Sequence, residues 1–175
     1  MVKPFLHWWK SSKTQGFVLL ELVLSLLITV LLAIMLLKGL QLLLPSWTKI
    51  TQQTSIYNTG HYILNILEKN VGYDAVSITI GKDNKGMQKL FCQTTNGNQN
   101  FSFTCENKRI HKTITKGSSS GTNPLYTSSC LVEKWTLQKI SNNKLLVELD
   151  LKQDRESCKL TRLITCMNGS IVYES

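Results

Sequence analysis

The sequence predicts an α+β protein: a long N-terminal helix, transmembrane in its first half, followed by a sheet-rich head. Three observations carry that expectation. From Phe17 to Leu37 runs a largely apolar stretch whose only charge is Glu21. Between Ile56 and Val71 apolar residues recur at helical spacing. From Val76 onward, short segments alternate with turns rich in Gly, Asn and Ser.

Residues 1–16 hold Lys3, Lys10, Lys13 and His7 and no acid, so the positive-inside rule keeps them cytoplasmic and sends the rest across. Phe5, Leu6, Trp8 and Trp9 read as a hydrophobic flank at the interface. A secretory signal would place its small-residue cleavage site after the apolar core, whereas here Gly16 precedes it. The 21 residues from Phe17 to Leu37 reach roughly 31 Å as a helix, enough to cross a bilayer. A carboxylate inside such a run costs free energy unless it finds a partner, which makes Glu21 a functional candidate.

The octet Thr14-Gln15-Gly16-Phe17-Val18-Leu19-Leu20-Glu21 and the apolar run it opens resemble the type IV prepilins and the related type II secretion pseudopilins. That resemblance implies cleavage after Gly16 by a membrane-embedded prepilin peptidase and N-methylation of the new terminus, Phe17. It also implies that Glu21 faces the terminal amine of a neighbouring subunit. An α-amine and a carboxylate, each costly in lipid, are partly compensated as a pair. Leu22 and Leu26 open the aliphatic surface expected to pack on like helices. The other implied partners are further major or minor pilins or pseudopilins and an assembly-platform membrane protein. An ordinary signal anchor with a stray glutamate is the plain alternative.

The spine is expected to continue past the membrane. Ile56, Gly60, Ile63, Leu64, Leu67 and Val71 form a second stripe, so one long helix, or two end to end, covers about residues 17 to 70. Pro45 removes the amide that would bond to Gln41, which predicts a kink near 41 to 45. Gly72 reads as the stop. Gly60 reads either as a site of close approach to a sheet or as a tolerated helix glycine. The resulting division is a leader over 1–16, an assembly helix over 17–37, its continuation over 38–72 and a head over 73–175. In the family resembled, such a helix packs on an antiparallel sheet, so the expected fold is pilin-like.

In the head, strands are expected at Val76–Ile80, Met87–Cys92, Phe101–Cys105 and Arg109–Thr115. Lys116–Pro124 reads as a flexible loop. A four-strand meander is then expected from Leu131–Ile140, Lys144–Leu151, Lys159–Met167 and Ser170–Tyr173, with hairpins at Asn142-Asn143 and Asn168-Gly169.

All five cysteines lie beyond residue 90, which suits an oxidising exterior. A hairpin centred between Asn98 and Gln99 puts Cys92 opposite Cys105, whereas a tight turn at Asn96-Gly97 puts Cys92 opposite Phe101. Cys130 and Cys158 start strands at the same end of the meander. The expected bridges are Cys92–Cys105 and Cys130–Cys158, leaving Cys166 over. Cys158 and Cys166, eight residues apart on one strand, are too far apart to bridge. No Cys-x-x-Cys occurs and only His61 and His111 follow the leader, so no metal site or cofactor is expected.

Enzyme motifs are absent: there is no Gly-x-Gly run, no His-Glu-x-x-His and no nucleophile elbow. The acids of the head are scattered as a solvated surface would have them. Formal charge is +9, of which Lys3, Lys10 and Lys13 supply three, leaving +6 beyond Gly16. That surplus permits contact with DNA, as in a competence-type minor pilin, although the lysines form no block. The layout most resembles the W and J classes of minor subunits, which prime or cap a filament. A type II secretion pseudopilin is the remaining alternative.

Overall fold

The computed structural model describes residues 14–82, 86–94, 99–126 and 129–174. The expected features at Lys3 to Lys13, in the turn near residue 84 and at Asn96-Gly97 lie outside them. The chain is α+β and divides into two compact units, 1–48 and 49–175.

A single helix, α1, covers Thr14–Leu67 and its assignment runs through Pro45. A π-helical segment, Glu68–Asp74, follows and ends where Ala75 turns extended. Gly72 is buried inside that segment rather than marking its end. Within the second unit the expected stripe is the buried one: Ile56, Ile63, Leu64, Leu67 and Val71 are all at most 1% exposed. Gly60 lies on the same stripe, and a Cβ there would run into the side chains of Leu160 and Leu151. Close approach to the sheet, not tolerance, accounts for this glycine.

Among the described residues nine strands follow: β1 (Ala75–Lys82), β2 (Gln88–Thr94), β3 (Gln99–Glu106), β4 (Arg109–Lys116), β5 (Ser119–Pro124), β6 (Leu131–Ser141), β7 (Lys144–Gln153), β8 (Glu156–Thr165) and β9 (Ser170–Tyr173). They form a six-stranded sheet of order β5-β4-β3-β2-β1-β9 and a three-stranded sheet of order β6-β7-β8. In β7 the alternation is as expected: Leu145, Val147, Leu149 and Leu151 are fully buried and the residues between them are not. The two sheets are joined through Gln88. Its Nε2 donates to Leu137 O, its Oε1 accepts from Leu137 N, and its backbone carbonyl accepts from Trp135 Nε1.

Two sequence expectations are corrected here. The first concerns Lys116–Pro124, which is not a flexible loop. Gly117, at φ +59°, makes a tight turn, and Ser119–Pro124 returns as β5 against β4. Every residue of β5 is exposed, so it carries no apolar alternation by which a strand is recognised. The Thr113 and Thr122 hydroxyls, 2.9 Å apart, join the two strands.

The second concerns the terminal meander, which has three strands, not four. β9 leaves it and pairs parallel with β1, from Ser77↔Ser170 to Ile80↔Tyr173. Met167 N donates to Gly72 O and Asn168 Nδ2 to Tyr73 O, which carry the chain across. Gly169 then passes so close to the backbone of Ala75 and Val76 that no side chain fits. Its role is close backbone approach, not a hairpin turn.

Candidate functional site

The first unit is an apolar helical surface in which Glu21 is the one charge between Phe17 and Leu37. Every residue of the run from Phe17 to Leu44 is exposed except Gly39, which is half-buried. Phe17 is 72% exposed, and Leu22 and Leu26 are similarly open. By length and composition this helix is long and apolar enough to cross a membrane, and none of its most apolar stretch is buried. Such a surface is stable only against lipid or other apolar helices.

The polar groups on it are arranged. Ser25 Oγ donates to Leu22 O at 2.9 Å and Thr29 Oγ1 to Ser25 O at 2.7 Å. Their hydroxyl protons are thus satisfied by the helix itself, as a lipid-facing helix requires. Glu21 has no such recourse, because a carboxylate accepts and the backbone amides of a helix are already engaged. Glu21, Ser25, Thr29 and Ala33 follow one another at steps of four, so they share one face, with a charge, two hydroxyls and a methyl. Small and hydroxylated side chains on one face are what close helix packing in lipid uses. The four-residue step was readable in the sequence and is the signal that widens the site beyond Glu21. Gly16 lies in the first turns of the same helix, next to Phe17.

In the second unit, Arg162 of β8 is the main polar tie between helix and sheet. Its guanidinium donates to Asn65 Oδ1 at 2.6 Å, to Glu68 Oε2 at 2.9 Å and to His61 Nδ1 at 3.1 Å. The Tyr57 ring packs against that of His61 at a tilt of 55°, with the ring centres 4.2 Å apart. With Nδ1 accepting from Arg162, His61 serves as part of a structural clasp. The clasp joins residues about a hundred apart in sequence, which is why spacing gave no sign of it.

A cleft where β1, β2 and β9 meet is lined by Ile80, Gly81, Lys82, Gln88, Tyr173 and Glu174. Among the described residues no group of three or more His, Cys, Asp or Glu side chains is placed to hold a metal ion. The lysines are dispersed, and Lys49, Lys108, Lys134 and Lys159 each stand within 4 Å of a glutamate. Exposed pairs of this kind contribute little to stability.

The cysteine expectations change. None of the five cysteines is bridged in the structure. Cys92 stands opposite Phe101 and Cys105 opposite Ile110, so the β2–β3 register is the one a tight turn at Asn96-Gly97 gives. The Cys92–Cys105 pairing is therefore corrected. Cys130 and Cys158 are also unbridged, and burial raises the Cys130 pKa, with the charge of Cys158 adding to it. Burial pushes the Cys92 thiol far up, with Cys166 adding to the effect. Cys166 itself is pushed up to about 11 by burial. Thiols held neutral in this way are inert as nucleophiles.

Comparison of the chain with protein-family models, with curated proteins and with solved structures finds no match in any of the three.

Proposed function

We propose that this chain is a minor pilin or pseudopilin, a structural subunit that primes or caps a type IV pilus-like filament. The observation that carries this reading is the placement of Glu21. It is the one charge in the exposed apolar stretch from Phe17 to Leu37, five residues after Gly16 and on one face with Ser25 and Thr29. A plain anchor has no use for a carboxylate there, whereas a helix that must find register against like helices does.

On this reading prepilin peptidase cuts after Gly16, Phe17 becomes the methylated terminus, and its amine on one subunit faces Glu21 of the next. Leu22, Leu26 and the aliphatic residues after them pack first in the cytoplasmic membrane and then in the filament. The head stands outside the membrane, and its role is recognition and shape rather than catalysis.

The deciding experiment is intact mass and N-terminal sequencing of the full chain from its own membranes, beside Gly16→Val. A chain starting at methylated Phe17, with processing lost in the variant, is expected. A chain starting at Met1 in both samples overturns the reading.

A further inference from the structure

Lys112 lies on the inner face of the six-stranded sheet. It is two residues along β4 from Ile110, which is fully buried, so the two share a face, and it stands directly opposite Phe103 of β3. Its ammonium nitrogen sits 5.3 Å from the Phe101 ring centre and 5.9 Å from that of Phe103. It donates to Asn70 Oδ1 at 2.8 Å. Asn70 is 8% exposed, and its other end is fixed because Nδ2 donates to Ile66 O at 2.6 Å. A primary amine is thus held against a carboxamide that cannot turn away, beside two aromatic rings.

We propose that Lys112 and Asn70 form an intramolecular isopeptide bond, a covalent tie between the π-helical segment and β4. The neutral Lys112 amine attacks Asn70 Cγ, the Nζ–Cγ bond forms, and the Cγ–Nδ2 bond breaks. Ammonia leaves, carrying the proton that Nζ gives up, and neither an oxidant nor a cofactor is consumed.

Two features favour the step. Burial lowers the Lys112 pKa below the ordinary lysine value, opposed by the charge of Asp74, so the nucleophilic neutral form is reached more readily. The fixed contact replaces a bimolecular encounter with a unimolecular one, a large entropic advantage. The inference stands independently of the function proposed above.

The test is mass spectrometry of the full chain purified from membranes, followed by protease digestion and peptide sequencing. The expected result is a mass one ammonia below that of the chain as its N-terminus is found, with a branched peptide joining the Asn70 and Lys112 segments. Succinimide formation at Asn168-Gly169 also releases ammonia, so the branched peptide decides, not mass alone. Asn70→Ala and Lys112→Arg should each abolish the branch. Lys112→Arg keeps a cation over the two rings, and should unfold at lower denaturant because a loop spanning 42 positions is no longer closed. Linear peptides for both segments in the unaltered chain overturn the proposal and leave the contact a hydrogen bond.

Discussion

Single residues decide more here by what they leave out than by what they contribute. Gly60 is the clearest case, since any side chain meets Leu160 and Leu151 of the sheet. Gly60→Val is expected to destabilise the second unit by about 1–3 kcal/mol through overpacking. Gly39 is the control, because a Cβ added there would meet nothing within 4 Å. Gly39→Val should leave the unfolding midpoint of the full chain in detergent where it was. Equal losses from both would mean that helix propensity, not packing, sets the cost. At Glu21 the expected separation runs the other way. Glu21→Leu should leave that midpoint unchanged and remove the chain from filaments, as read by fractionating sheared surface material against membranes.

At the scale of elements, the crossing from β8 to β9 holds the head together as a unit. β9 is only four residues long and is the sheet's edge next to β1, yet it buries Ile171 almost fully. Gly169 enables that placement, because the atoms a Cβ would strike are backbone atoms of Ala75 and Val76 and cannot step aside. Gly169→Val is expected to undock β9, costing about 1–3 kcal/mol. Hydrogen exchange should then speed up at Ser77–Ile80 of β1 while β7 stays protected. Core truncation offers a scale for comparison. Leu149→Ala, fully buried in the middle strand of the smaller sheet, should cost about 2–5 kcal/mol in the same unfolding assay.

For the whole molecule, four of the five groups whose pKa is displaced in the head move in one direction. Burial raises the pKa of Cys92, Cys130, Cys166 and Tyr126, the last pushed up to about 12. Above the unfolded thiol value of 9.0 the unfolded chain sheds these protons and the folded chain keeps them. The unfolded state then binds fewer protons, so stability falls as pH rises. Lys112 acts in the opposite sense, because its folded pKa is lowered and the unfolded chain holds that proton longer. Four groups outweigh one. The thermal midpoint, followed under reducing conditions from about pH 8 to pH 11, should therefore decline. A flat or rising profile would contradict the burial of those thiols.

The sequence by itself determined what periodicity and composition can carry. It settled the exposed apolar run from Phe17, the lone charge at Glu21, the buried stripe from Ile56 to Val71 and the alternation of β7. Each is a local pattern in which the residues that act together are one, two, three or four apart. Lys112 belongs partly to this class, since its place between Ile110 and Ile114 already puts it on their face.

Tertiary structure alone decided the rest, because the interacting groups are distant in the chain. The partner of Lys112 lies 42 residues away, and Arg162 reaches residues of α1 about a hundred positions earlier. Turn residues mark where a chain bends but not what it meets afterwards. Asn168-Gly169 looks the same in sequence whether it closes a hairpin or slips past the backbone of β1. β5, having no apolar side, left no trace of the pairing that its backbone makes with β4. The register of β2 on β3, and with it the opposition of Cys92 to Phe101, rests on where the turn falls, and a one-residue change there reverses every face.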